Sequence, residues 1–96
     1  MVAPKKPPPE KVEAPPRKPG AGVFWRDGHW AWDNGKELFY WVAGGWIRER
    51  EGWVFQPGGW EPDEKDGKRI GWRYIEATWV RESEIDRVPP TPRRYN

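Results

Sequence analysis

Of 96 residues nine are Trp, beside 12 Pro, 11 Gly, one Met, one His and no Cys, and the net charge is only +2. That length allows one small domain with tails, and the lack of Cys excludes a disulfide framework or a thiolate metal site. No apolar run approaches the roughly 18 residues of a membrane helix, and no basic, then apolar, then small-residue order marks a signal peptide.

Residues 1–22 hold seven of the 12 Pro and no aromatic residue. Such a stretch buries too little apolar surface to offset the entropy of ordering it. It predicts a disordered, semi-extended, proline-rich basic arm of polyproline type. Residues 23–82 carry every Trp and 14 of the 15 aromatic residues, and form the expected folded domain. Residues 83–96 make a short tail with Pro89, Pro90, Pro92, Arg93 and Arg94.

Charge divides along the same boundaries. The arm has five Lys/Arg against Glu10 and Glu13, the tail is +1, and the central region is −2. A nucleic-acid reader concentrates positive charge on its folded surface, so nucleic acid is not the expected partner. At +3 the arm would be drawn only weakly to an anionic membrane surface.

The Trp residues recur in a frame. Trp25-Arg-Asp-Gly28-His-Trp30 has the spacing W-x-x-G-x-W, and Trp41-Val-Ala-Gly44-Gly-Trp46 repeats it. Phe55-Gln-Pro-Gly58-Gly-Trp60 is a third copy, and Tyr74-Ile-Glu-Ala77-Thr-Trp79 a degenerate fourth. Successive last Trp residues are separated by 16, 14 and 19 positions, an internal repeat. Between copies lie the turn signals Asp33-Asn34-Gly35-Lys36, Glu49-Arg50-Glu51-Gly52 and Asp63 to Lys68. Asn34-Gly35 suits the positive φ of a tight hairpin turn.

Around these loops aromatics alternate at strand period: Trp30/Trp32, Phe39/Trp41, Trp53/Phe55 and Trp72/Tyr74. Gly inside such a pattern marks a bend or a close backbone approach. The expected fold is all-β: an antiparallel meander of four long strands, near 23–32, 37–48, 52–62 and 68–81, each bent at its Gly. Curling would give a small barrel-like or open-sandwich domain.

Aliphatic residues are few, so most Trp must be core. A buried Trp removes roughly 150–250 Å² from water, about 4–6 kcal/mol at ~25 cal/mol per Å² as an upper estimate. Trp30, Trp46, Trp60 and Trp79, with Gly28, Gly44 and Gly58, are the expected structural set. Trp32, Trp41, Trp53 and Trp72 flank the loops and are the candidate aromatic binding face. A thin meander leaves one face uncovered, and an exposed aromatic patch marks a partner site.

Chemistry beyond binding finds little support. One Ser and one His leave no nucleophilic triad, and His29 stands alone. The Asp63, Glu64, Asp66 spacing is not a calcium loop, and nothing selects a catalytic carboxylate pair. No catalytic residue, metal or cofactor is expected.

The frames, the Pro-Gly of the third copy and the proline-rich leader resemble the WXXGXW (YXWGXW) repeat proteins of bacteria, over residues 20–82. The fourth copy departs from that pattern, lacking its first Trp and its Gly. The resemblance implies an exported protein of the periplasm or outer envelope, with its signal peptide removed. The expected function is a non-enzymatic interaction or scaffold module using the aromatic face and the arm. Its partner would be another protein or a second copy; the alternative is a glycan-binding module for peptidoglycan or exopolysaccharide.

Overall fold

A computed structural model describes residues 1–87. The tail prolines and arginines from Pro89 to Arg94 lie outside the described residues. The protein is all-β, and each expected long strand is broken in two, three at the x-x-G and the fourth at Glu76-Ala77. The segments are β1 (Val2–Ala3), β2 (Val23–Arg26), β3 (His29–Asp33), β4 (Leu38–Val42), β5 (Gly45–Arg48), β6 (Trp53–Gln56), β7 (Gly59–Lys65), β8 (Lys68–Ile75) and β9 (Thr78–Arg81). A 3-10 turn, Glu82–Arg87, follows.

Pairing makes two bent hairpins rather than one four-stranded meander. In the first, β3 pairs β4 and β2 pairs β5; in the second, β7 pairs β8 and β6 pairs β9, all antiparallel. The described sheets contain no ladder between the second and third copies and close no barrel. Those copies are joined by a turn, in which Trp53 N–H donates to Arg50 O at 3.0 Å with Gly52 at φ 79°. The outer strands are already paired within their own hairpins.

The hairpin tips differ from expectation in a way that chemistry explains. Asn34-Gly35 is not the tight turn. The first tip is a four-residue loop in which Asp33 Oδ1 accepts from Lys36 N–H at 3.0 Å and Glu37, at φ 55°, takes the left-handed position. An Asp side chain that closes the turn in this way favours a longer loop. The two-residue turn is at Asp66-Gly67, φ 53° and 77°, which extends β7 to Lys65.

The two hairpins close on each other through rings. Trp32, Trp60, Trp72 and Tyr74 are buried with Ala3, and Phe39 packs against them. Phe39 lies 5.6 Å from Trp60, and Phe24 of the first hairpin lies 5.5 Å from Phe55 of the second. Edge-on and tilted aromatic pairs at such distances add to the gain from area alone.

The largest difference from expectation is the arm. Val2–Ala3 forms a third strand on β8, Ala3 is 3 % exposed, and Met1 O accepts from Tyr74 N–H at 2.8 Å. The reason is the thinness of two hairpins: their aromatic faces need a cover, and the start of the chain supplies it. Gly71 admits that strand, because a Cβ there would stand 2.8 Å from Ala3 O. Deleting Met1–Pro4 should therefore speed hydrogen exchange at the Tyr74 amide at least ten-fold. It should also cost roughly 1–3 kcal/mol of stability in a denaturant melt.

Candidate functional site

The frame has a physical logic that is clearest in the first hairpin. Antiparallel register sets the first Trp of each copy opposite the last Trp of the other: Trp25 faces Trp46 and Trp41 faces Trp30. The rings meet edge to face at 5.4 and 5.2 Å. Each first Trp also lays its ring edge on the other copy's Gly. A Cβ on Gly44 would meet Trp25 Cζ2 at 2.7 Å, and one on Gly28 would meet Trp41 Cζ2 at 2.7 Å. The x-x-G is thus the point where the two chains and two indoles crowd together.

With no Cβ in the way, the amides of Gly28 and Gly44 converge on one carboxylate. Glu13 Oε1 accepts from Gly28 N–H and from Gly44 N–H, both at 3.1 Å, and Oε2 lies 3.3 Å from Gly44 N. Hydrogen bonds to a charged acceptor are the stronger kind. The last Trp of each copy supplies a further donor. Trp30 Nε1–H donates to Pro9 O at 3.0 Å, and Trp46 Nε1–H donates to Pro16 O at 3.2 Å. An extended proline-rich segment therefore lies along the hairpin, held at Pro9, Glu13 and Pro16.

Cations complete the track. Lys5 Nζ sits 5.7 Å from the Trp32 ring centre and Lys11 Nζ 5.4 Å from that of Trp30. The basic residues of the arm thus find aromatic faces as partners. Pro7, Pro8 and Glu10 line a small cleft with His29, Trp60 and Tyr74, where arm and both hairpins meet.

The second hairpin repeats the scheme with different residues. Phe55 faces Trp79 and Tyr74 faces Trp60. Here Phe55 stands in place of the first Trp of the third copy, and Ala77 in place of the Gly of the fourth. Trp60 Nε1–H donates to Trp30 O at 2.8 Å, so the polar end of this indole ties the hairpins together rather than bonding an arm carbonyl.

The four residues of the expected binding face are divided. Trp32 and Trp72 are 7 % and 4 % exposed and belong to the core, because the tips of both hairpins turn inward against β1. Trp41 and Trp53 are half-buried. Arg50 and Arg81 lie 6.0 and 5.1 Å from the Trp53 ring centre, and Arg50 is 4.7 Å from that of Trp79. Of the expected structural set, Trp60 is buried while Trp30, Trp46 and Trp79 are half-buried. Gly28 and Gly58 are buried and Gly44 half-buried.

Residues that sequence reasoning passed over are Pro9, Glu13 and Pro16. A proline-rich segment has no periodicity, so nothing in its pattern distinguishes one carbonyl or one carboxylate from another. Two indole N–H groups, on Trp32 and Trp41, are buried without a hydrogen-bond partner. Among the described residues no group of three or more His, Cys, Asp or Glu is placed to hold a metal ion. No helix among them is long and apolar enough to cross a membrane.

A family model, the WXXGXW repeat, matches the chain twice, over residues 20–47 and 50–80. Each match spans one hairpin and two of the frames. Comparison with curated proteins and with solved structures matches nothing. With more than half its length matched, the chain belongs to the WXXGXW repeat family.

Proposed function

We propose that the protein is a non-enzymatic interaction or scaffold module of the bacterial cell envelope, in the periplasm or at the outer surface. The observation that carries this is the use of the repeat itself: its indole and glycine N–H groups grip an extended peptide segment. Trp residues suit such work, since they offer a large flat contact at low entropy cost and one polar handle.

A surface for a partner remains at the outer halves of the hairpins, where an open groove is lined by Phe24, Trp53, Phe55, Trp79 and Arg50. Its mix of aromatic rings and arginine is what protein interfaces favour. The glycan reading is weaker on one observation. A sugar stacks on a bare ring face, and guanidinium groups already lie over Trp53, Trp79 and Trp72.

The test is cross-linking capture from envelope fractions by the full chain, with Trp41→Ala and Trp53→Ala compared after circular dichroism confirms their fold. Loss of specific capture in the Trp53→Ala variant supports the reading. Identical capture by both folded variants sinks it. A tryptophan fluorescence shift on adding soluble peptidoglycan fragments, absent with protein partners, would move the assignment to glycan.

A further inference from the structure

The arm is held in two unlike ways. Its first residues are part of the fold, with Ala3 and Pro7 buried. From Pro9 to Gly22 no side chain is buried, and Val12 is fully exposed. That outer strap is held by hydrogen bonds at three points, Pro9 O, Glu13 and Pro16 O, and by Lys11 above Trp30. The two indole bonds lie at an exposed edge, where bonds open at low free-energy cost, and the Glu13 bonds between them are only part-buried.

One indole of the hairpin takes no part in holding the strap. Trp41 stands opposite Trp30, and its ring edge crowds Gly28, whose amide holds Glu13. Yet the buried Trp41 Nε1–H has no acceptor. A buried donor without a partner costs about 1–3 kcal/mol. The Trp41 indole N–H is thus a donor that the strap does not use.

We propose that the first hairpin is a binding site for extended, proline-rich peptides carrying a carboxylate, and that residues 8–19 are its built-in occupant, displaced when such a peptide arrives in trans. The ligand is defined by spacing: a backbone carbonyl for Trp30, a carboxylate four residues later for the Gly28 and Gly44 amides, and a carbonyl three residues beyond for Trp46. The polyproline conformation suits it, being already extended and losing little entropy on docking. The W-x-x-G-x-W pair supplies every donor, with the Gly positions open so that the carboxylate can approach. This inference rests on the interaction-module reading and narrows it to one ligand chemistry.

A tethered occupant competes at an effective concentration in the millimolar range, so weakening it should unmask the site. The probe is a dye-labelled synthetic peptide with the sequence of residues 5–19, titrated by fluorescence anisotropy into the full chain. Glu13→Ala protein should bind it at least ten-fold more tightly than wild type, with circular dichroism unchanged. The same peptide carrying Glu13→Ala should bind at least ten-fold more weakly to that protein. Trp46→Phe, added to the Glu13→Ala protein, keeps the ring but loses the donor and should weaken the normal peptide several-fold. Equal affinity for both peptides, or no binding to folded Glu13→Ala protein at millimolar peptide, overturns the proposal. So does a concentration-dependent dimer that excludes the peptide, which would make a second copy's arm the occupant. If the peptide fails while Trp53-dependent capture persists, only this inference falls and the broader module reading stands.

Discussion

Replacing Gly58 by Ala lowers the melting temperature by roughly 12–24 °C. A Cβ at Gly58 would run into Ile75 O, and would stand 2.9 Å from Ala77 N and 3.1 Å from Glu76 C. All three are backbone atoms at the facing bend between β8 and β9, so no rotamer change relieves the overlap. The bend itself must open, and with it the register of β6 on β9 and of β7 on β8. Overpacking costs about 1–3 kcal/mol, and rigid neighbours put this case at the upper end, ~3 kcal/mol. At ~4–8 °C per kcal/mol for a domain of this size, the shift follows. Gly45→Ala is the matched control, because a Cβ there meets nothing within 4 Å; it should move stability by less than about 0.5 kcal/mol. Thermal melts of the two variants decide the matter. A Gly58→Ala melt within 3 °C of wild type would mean that the frame's Gly serves turn flexibility rather than close approach.

The same geometry explains what could be foreseen from the residues and what could not. Period two and the recurrent Gly made the strands and their bends legible, because both follow from local chain geometry. The pairing did not. A frame of six residues looks the same whether copies form one meander or two hairpins, and the ladders that distinguish these are long-range. A bend at x-x-G is what the residues predict; the break of each long strand into two segments, and the missing ladder between β5 and β6, are not.

Trp32 and Trp72 flank the loops, a position that suits an outward face. Both are buried because β1 lies across the inner halves, and β1 comes from a segment whose composition speaks against order. Pro and Lys do not make a core of their own, but they can cover one made elsewhere. Lys5 and Lys11 bring apolar stems and a charge suited to indole faces. An arm that cannot fold alone is thereby ordered by its neighbours, a tertiary effect that no window of local composition contains. Glu13 shows the same limit at a single residue: its partners are two amides 15 and 31 positions away.

Trp60→Ala should have the largest effect of any single substitution, leaving the domain mostly unfolded at 37 °C. Trp60 is 5 % exposed, its ring lies 5.6 Å from Phe39 and 5.5 Å from Tyr74, and its Nε1–H donates to Trp30 O at 2.8 Å. It is thus both a central ring of the core and a polar tie between hairpins whose strands share no ladder. Truncation removes the contacts with both hairpins and leaves a cavity, at about 3–5 kcal/mol, and orphans a carbonyl at ~1–3 kcal/mol more. A chain of this size holds only about 5–14 kcal/mol in total, at ~0.05–0.15 per residue. Trp60→Phe separates the two contributions. It keeps a ring but loses the donor, so it should cost less than the Ala variant yet remain folded at 25 °C. Trp79→Ala, at a half-buried ring of the outer sheet, should cost less than Trp60→Ala. Urea melts followed by far-ultraviolet circular dichroism would rank the three. If Trp79→Ala proves the more damaging, the outer halves, not the buried inner cluster, hold the hairpins together.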